Sequence, residues 1–266
     1  MNERIMANEV YRAHEGVSRS DLWLMSKSPL HYKYGIEHPQ EETPALLFGS
    51  AQHKMVLEPA DFDAEFAVLP EGIDRRTKEG KQAFLEFTEG LNGRRVITAE
   101  QYDQIREMVE ALKQNPDAWK LLQGEHEASF FWTDPETGIK CKVRPDVITE
   151  YGGQPYLVDY KTTESCADGH FEAACRKYGY KLQAGMYTEG MFQNMFQEYG
   201  FAFVAQEKTP PYASRVYICD GDFINEGHDL FRTYMGTLKY CEDTGDWFGY
   251  EGHEHLVSIL GGDNND

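Results

Sequence analysis

The stretch of residues 144–161, RPDVITEYGGQPYLVDYK, constrains the fold of this 266-residue chain more than any other. Its two flanks have strand-like patterning on either side of a Gly-Gly turn at 152–153, which predicts a β-hairpin. Asp146 lies on the first predicted strand, and Asp159 and Lys161 lie on the second. Because residues two apart on a strand share a face, Asp159 and Lys161 point the same way. The hairpin therefore brings two carboxylates and an ammonium group to one pocket.

The chemistry of that pocket has two interpretations. Carboxylate oxygens suit a hard cation such as Mg²⁺, which keeps bound waters and accepts phosphate oxygens. A lysine beside such an ion can hold or polarise an attacking water, and Pro145-Asp146 with Asp159-Tyr160-Lys161 matches the PD-(D/E)-x-K pattern of nucleases. The other interpretation is a surface hairpin with a solvated aspartate and an ordinary Asp–Lys ion pair. Since so short a motif arises by chance, both remain open at this stage.

Length and composition favour a globular protein with a substantial core. Hydrophobic residues make up 41% and charged residues 27% of the chain, which fits one large domain over residues 1–266. We expect residues 1–15 and 261–266 to be flexible. The start of the chain lacks the apolar segment of a secretory signal, and no run approaches the length of a membrane span. Five scattered cysteines without a CxxC pair indicate reduced thiols and a cytoplasmic protein.

The net charge of −19 argues against a generic DNA-binding protein, because phosphate contacts normally require a basic surface. Part of the acidic excess could ligate cations. The remainder could lie on outward faces while basic residues cluster near the site.

Helix and strand signals alternate along the chain, which predicts an α/β protein. A capped helix spans 16–34 with an interruption at Pro29, and a helix that contains His53 lies between Thr43 and Pro59. Further helices are predicted at 77–87, 98–114, 167–177, 180–199 and 222–241. Strands are predicted at 127–132, 141–149 and 155–162, and two more flank the prolines at 210–211.

Several polar residues have both a structural and a functional interpretation. A lone histidine on an apolar helix, as at His53, is more often a hydrogen-bonded core residue than a ligand. Glu127 could adjoin Asp146 or face solvent. The helical pair of Gln183 and Tyr187 shares one face, which could be the polar edge of an amphipathic helix. A basic run could be a solvated face or a phosphate-contacting arm, and it contains Arg75, Arg76 and Lys78.

Five motifs in one order resemble the RecE-type exonuclease domain (exonuclease VIII) of the PD-(D/E)-x-K superfamily, which is related to lambda exonuclease and RecB-type nucleases. The motifs are GSAQH with His53, the acid Glu127, Pro145-Asp146, Asp159-Tyr160-Lys161 and Gln183-x-x-x-Tyr187. The resemblance extends over residues 17–247. It implies a restriction-endonuclease-like α/β core, with a mixed central sheet flanked by helices, and it favours the functional interpretation of His53.

The resemblance also implies a role for each of these residues. The implied metal-binding set comprises His53, Asp146, Asp159 and Tyr160, and Glu127 supports a second ion or its water. Lys161 orients or activates water, whereas Gln183 and Tyr187 pack over the site and contact DNA or the catalytic residues. Arg19 occupies the place where related exonucleases hold a 5′-phosphate. The implied cofactor is Mg²⁺, as two ions, with Mn²⁺ as a substitute.

The implied activity is Mg²⁺-dependent 5′→3′ digestion of double-stranded DNA ends, as in phage-type recombination. Such enzymes are ring-shaped homo-oligomers that leave a 3′ strand for a single-strand annealing protein, and a ring would allow acid outside and base along the channel. Two alternatives are a structure-specific endonuclease and a catalytically silent DNA-binding scaffold. No iron–sulfur cluster is expected, because only Cys219 and Cys241 lie near the end of the chain, where relatives with a cluster have three clustered cysteines.

Overall fold

The computed structural model describes residues 4–250, and the strands and helices in that range are as follows. The strands are β1 Phe66–Leu69, β2 Arg95–Thr98, β3 Glu125–His126, β4 Phe130–Thr133, β5 Lys140–Val143, β6 Val147–Tyr151, β7 Gln154–Thr163, β8 Gly200–Glu207 and β9 Ser214–Ile218. The helices are α1 Asn8–Ala13, α2 Arg19–Met25, α3 Pro29–Glu37, α4 Pro44–Leu57, α5 Phe62–Glu65, α6 Lys78–Glu89, α7 Ala99–Lys113, α8 Pro116–Leu121, α9 His170–Tyr178, α10 Tyr180–Met195 and α11 Gly221–Thr244.

A five-stranded mixed sheet in the order β3-β6-β7-β8-β9 forms the centre of the protein. Its pairs are antiparallel except for the parallel pair β7–β8. The pairing of β6 with β7 ends at Val147↔Val158, whereas β7 continues beside β8 to Thr163. The edge of β7 beyond Val158 therefore lies past the end of β6. This sheet, with helices against it, confirms the predicted α/β class and mixed central sheet.

Both faces of the sheet are covered, which explains why β8 is a continuous apolar run. Phe201 and Phe203 belong to a core shared with helices α10 and α11, whereas Ala202 and Val204 belong to a core shared with α4, α7 and α8. Side chains alternate between these two cores along the strand, as the two-residue period of a strand requires.

Helix α10 is held close to α11 by a pair of glycines. A Cβ added at Gly185 would lie 2.1 Å from the carbonyl carbon of Gly227, and one added at Gly227 would lie 2.0 Å from the Lys181 oxygen. Only residues without side chains permit this approach. The contact fixes the helix that carries Gln183 across the central sheet.

The predicted strand over 141–149 is wrong in one important respect, because it is two strands in different sheets. Residues before Arg144 form β5, which pairs with β4, and residues after Asp146 form β6, which pairs with β7. Pro145 between them has no N–H for a ladder. Asp146 therefore precedes its strand. Glu127 is also outside a strand, since it lies between β3 and β4 with φ 53°.

Other differences from the sequence predictions lie further from the centre. The predicted helix over 16–34 is two helices, with Ser28 capping the second at Pro29. The short parallel pair β1–β2 was not predicted. Residues 4–15 contain α1 and form hydrogen bonds with residues 129–144, and the expected flexibility of residues 1–15 stays a prediction. The expected flexible tail at 261–266 lies outside the described residues. No helix among residues 4–250 is long and apolar enough to span a membrane.

Candidate metal site

Asp146 is fixed at the open edge of β7 by backbone hydrogen bonds. Its Oδ2 accepts the Tyr160 N–H at 2.7 Å, and its carbonyl oxygen accepts the Glu127 N–H at 3.1 Å. The N–H and C=O of one strand residue point to the same edge, so the Tyr160 carbonyl also faces this edge. The Tyr160 phenol lies elsewhere, because it accepts from Gln52 at 2.9 Å and donates to Gln206 at 2.6 Å. Tyr160 therefore offers the site its backbone and not its side chain.

His53 brings α4 to this edge. The Thr43 side chain caps the helix, and the Gln52 bond to Tyr160 anchors it one residue before His53. The imidazole Nε2 lies 2.8 Å from Asp146 Oδ2, and Nδ1 lies 3.3 Å from Glu127 Oε1. His53, Glu127 and Asp146 each present one ligand atom, and these atoms all lie within 4.8 Å of one another.

Asp159 and Lys161 share the face of β7 that the sequence predicts. Lys161 Nζ lies 2.6 Å from Asp159 Oδ2, and the Gln183 amide donates to Asp159 Oδ1. The Lys161 ammonium also lies 4.9 Å from the centre of the Tyr180 ring. Helix α10 thus contacts the second aspartate through Gln183, and the role implied for Gln183 stays a prediction.

The pKa values of the site residues are shifted because three carboxylates, those of Glu127, Asp146 and Asp159, lie close together. Burial raises the pKa of Asp159 to about 6, with a further contribution from Asp146, and burial raises the pKa of Glu127 to about 7. Burial alone would lower the pKa of His53, but Asp146, Glu127 and Asp159 together raise it to about 9. Burial opposes ionisation of Asp146, but His53, Lys161 and the Tyr160 N–H lower its pKa below the usual value.

These residues suit a divalent cation. An imidazole nitrogen and several carboxylate oxygens are a common donor set for such ions. Gln183 Oε1, in the same place, is buried without a hydrogen-bond partner among the described residues, and the Lys161 ammonium is the one partner that those residues give Asp159 Oδ2. A buried oxygen without a partner, beside carboxylates whose pKa values are raised by burial, is arranged for positive charge. His53, Glu127, Asp146, Asp159 and the Tyr160 carbonyl are the groups that would hold it.

Arg19 and Tyr187 lie near this group. The Arg19 guanidinium donates to the Tyr178 carbonyl and lies 5.9 Å from the centre of the Tyr180 ring. Burial lowers its pKa, although Tyr187 and Asp159 oppose that effect, and its Nε is buried without a partner among the described residues. Burial, with Tyr11 and Asp159 nearby, raises the pKa of Tyr187 well above its usual value, so this phenol is neutral.

The predicted basic arm, residues 75–78, lies between β1 and the start of α6. Arg76 forms an ion pair with Asp74 at 2.9 Å, and the Arg75 guanidinium lies 4.3 Å from the centre of the Phe84 ring. Lys78 begins α6, in which Gly80 is the buried residue. These contacts are local, and the two interpretations of the arm remain.

Arg144 is a residue of the site that the sequence does not single out. Its Nε lies 2.6 Å from Glu127 Oε2, and its side chain is 8% exposed. Its one sequence signal is its place immediately before Pro145-Asp146, which does not distinguish a buried cation from a solvated one.

Fold and site together define a protein of the PD-(D/E)-x-K nuclease class. Residues 18–256 match the family model described as "PDDEXK-like domain of unknown function (DUF3799)". The chain belongs to this family, as the sequence motifs predicted at the level of the superfamily. A search of curated proteins found no match.

Two solved structures give a measure of the fold. The crystal structure of a protein from Eubacterium rectale named "Putative exonuclease" matches with a TM-score of 0.65 and 16% identity, over 97% of this chain and 96% of that one. This likeness supports the fold alone. The crystal structure of a protein named SSO0001 has a TM-score of 0.28 and 14% identity, over 79% of this chain and 84% of that one, and adds nothing to the assignment.

Proposed function

We propose that this protein is a Mg²⁺-dependent 5′→3′ exonuclease that hydrolyses double-stranded DNA from its ends. The observation that carries the proposal is the convergence of Asp146, Asp159 and Lys161 with His53 at the edge of β7 beyond the end of β6. A protein that only binds DNA has no need of this complete set. An exonuclease is preferred over an endonuclease because the five sequence motifs resemble those of the RecE-type exonuclease domain.

In this proposal, His53, Asp146 and Asp159 hold one or two divalent ions, with Glu127 and the Tyr160 carbonyl completing the set. Bound divalent cations polarise the phosphodiester and lower the pKa of a bound water. Lys161, whose Nζ lies 2.6 Å from Asp159 Oδ2, orients the attacking water beside that carboxylate. Gln183 keeps Asp159 in place from α10, and the Tyr160 N–H does the same for Asp146.

Arg19 is the residue proposed to receive the 5′-phosphate. Its Nε is buried without a partner among residues 4–250, and its guanidinium lies close enough to Asp159 for the two charges to interact. A guanidinium holds a phosphate through two parallel hydrogen bonds, which a lysine does not provide. A terminal phosphate bound there would place the first phosphodiester near the metal-binding residues.

The direct test compares linear and covalently closed circular duplexes with Mg²⁺ or Mn²⁺, using Asp146→Asn as the inactive control. We expect loss of the linear duplex with release of 5′-labelled products first, survival of the circle, and no reaction in EDTA. Cutting of the circle at a comparable rate would favour the endonuclease. If the wild-type protein cuts neither substrate with either metal, the DNA-binding scaffold becomes the better assignment.

The wider setting of the reaction is also a proposal. A homo-oligomeric ring, a single-strand annealing partner and a cytoplasmic location are the arrangement that the resemblance implies. A ring would bring basic residues from several copies to one channel, which would reconcile DNA binding with a net charge of −19. Sedimentation velocity at several concentrations tests this arrangement, and a protein that remains a monomer at all of them contradicts it.

A further inference from the structure

Two buried cations, Lys142 and Arg144, precede Asp146 on a single extended segment. They are two residues apart and point the same way, towards residues 4–15. The Lys142 ammonium and the Arg144 guanidinium lie 5.4 Å and 5.5 Å from the centre of one ring, that of Tyr11. Neither position is expected for a solvated charge, so each requires a partner that offsets its burial.

Lys142 is fully used by the backbone of the N-terminal segment. Its ammonium donates to the carbonyl oxygens of Tyr11, Arg12 and His14, at 3.3, 3.0 and 2.6 Å. These carbonyls lie at the C-terminal end of α1, where a cation is favoured. Lys142 therefore has a complete structural role and no atom left for the site.

Arg144 is divided between the N-terminal segment and the metal site. Its Nη2 donates to the Met6 carbonyl at 3.0 Å, while its Nε forms the 2.6 Å ion pair with Glu127 Oε2. The other Glu127 oxygen, Oε1, faces His53 Nδ1 at 3.3 Å. Glu127 is thus held at one oxygen by a guanidinium and presents the second to the site.

The backbone conformation of Glu127 is unusual, and its own contacts do not fix the position of the side chain. Its φ of 53° is a left-handed conformation, which non-glycine residues adopt only at a cost in free energy. The hydrogen bond from its N–H to the Asp146 carbonyl fixes this backbone but leaves the side-chain torsions free. The Arg144 guanidinium at Oε2 fixes the side chain with its other oxygen, Oε1, towards His53 and near the Asp146 carboxylate, which repels it.

We propose that Arg144 is a positioning residue, which fixes the Glu127 carboxylate beside His53 so that both can hold a divalent cation. The inference rests on the proposed function, because it assigns Glu127 to the same metal site. Removing a residue that holds a metal ligand in place typically weakens metal binding about 10–100-fold. A purely structural role for Arg144 would change thermal stability and leave the affinity of the folded protein unchanged.

The test measures Mn²⁺ affinity without DNA, by electron paramagnetic resonance of free Mn²⁺, together with the melting temperature. We expect Arg144→Gln to weaken Mn²⁺ binding about 10–100-fold. Arg144→Lys should recover part of this loss, because it keeps the charge but cannot reach Glu127 and Met6 together. The matched control is Arg232→Gln, which removes a different partly buried arginine, paired with Asp134, and should lower stability with unchanged Mn²⁺ affinity.

A double-mutant cycle separates action through Glu127 from any other effect. Once Glu127→Gln has weakened Mn²⁺ binding, adding Arg144→Gln should weaken it less than twofold further. If Arg144→Gln is folded and binds Mn²⁺ as tightly as the wild-type protein, or if the two effects multiply, the proposal is overturned. A wild-type protein that binds Mn²⁺ but cuts no DNA would contradict the proposed function alone, whereas one that binds no Mn²⁺ would contradict both.

Discussion

Two buried acids of this protein, Asp134 and Asp159, have pKa values that are shifted in opposite directions. Asp134 is fully buried and Asp159 is 2% exposed, yet the pKa of Asp134 is lowered while that of Asp159 is raised to about 6. Burial raises both pKa values, so burial does not distinguish the two acids. Their partners do.

The carboxylate of Asp134 has donors at both oxygens. Thr137 donates its N–H and its hydroxyl to Oδ2, at 3.0 and 2.6 Å, and Arg232 donates to Oδ1 at 2.6 Å. Arg232 also donates to Glu189 at 3.0 Å and contacts Glu136 at 3.3 Å, which distributes its charge over three acids. Asp159 also has a partner at each oxygen, the Gln183 amide at Oδ1 and the Lys161 ammonium at Oδ2, but the Asp146 carboxylate lies nearby and raises its pKa further. A buried carboxylate whose donors lower its pKa is structural, whereas one whose pKa stays raised beside another acid marks a site for a cation.

The largest expected effect is the loss of cleavage in Asp159→Asn. Removing an anionic ligand from a metal-dependent hydrolase should lower kcat/KM by on the order of a thousandfold. The metal-free variant should melt at the same temperature as the wild-type protein or higher, because the change relieves repulsion between Asp159 and Asp146. Cleavage assays and calorimetry in EDTA measure the two quantities. Full activity, or a large loss of stability, would place Asp159 with Asp134 as a structural acid.

Asp134→Asn should have the opposite result. Removing one partner of a buried ion pair should cost about 3 kcal/mol of unfolding free energy, while cleavage at low temperature stays near the wild-type rate. The control is Glu136→Gln, since Glu136 contacts the same Arg232 at 3.3 Å but is 68% exposed, so its loss should cost less than about 0.5 kcal/mol. Urea denaturation measures both. Equal effects of the two substitutions would contradict the distinction between the groups.

A third prediction concerns pH. The pKa of His53 is raised from 6.5 to about 9. Protonation of His53 therefore stabilises the metal-free fold fully below pH 6.5, and this stabilisation is lost as the pH rises through 9. A metal ion bound through the imidazole must displace that proton. Mn²⁺ affinity should therefore increase between pH 7 and 9, by up to about tenfold per pH unit. Asp134 is already ionised in this window and should contribute no change.

Calorimetric titration in two buffers with different ionisation enthalpies would measure the proton released by this binding. Release of more than one proton at pH 7 is expected, about one from His53 and about half from Glu127, whose pKa is raised to about 7. Affinity that is independent of pH, without proton release, would show that His53 does not ligate the ion.

The smallest expected effect is that of Gln183→Leu. The substitution keeps a side chain of similar size on α10 but removes the amide that donates to Asp159. Cleavage should fall by about tenfold, because Asp159 loses a group that orients it. The control is Gln193→Leu, on the same helix, where the amide bonds Glu189 at 3.0 Å. Similar activity in the two variants would remove Gln183 from the site.

The sequence alone determined the fold class, and it predicted the main residues of the candidate site. The spacing of Asp159 and Lys161 places them on one face of a strand whatever surrounds it, and the structure has them there. The helix of His53 is likewise local, because Thr43 caps it and Pro44 begins it. The five motifs predicted the PD-(D/E)-x-K superfamily because they sample residues that the fold brings together from distant positions.

Only the tertiary structure decided how these residues share their charges. The break at Pro145 depends on two sheets competing for one segment, and the conformation of Glu127 depends on a hydrogen bond to Asp146. The burial of Arg144 depends on Met6 and Tyr11, more than a hundred residues earlier in the chain. Periodicity and capping record interactions within a few residues, whereas the pKa of a buried acid is determined by charges from distant segments. For this reason the sequence named the acids, and the fold decided which of them are arranged for a cation.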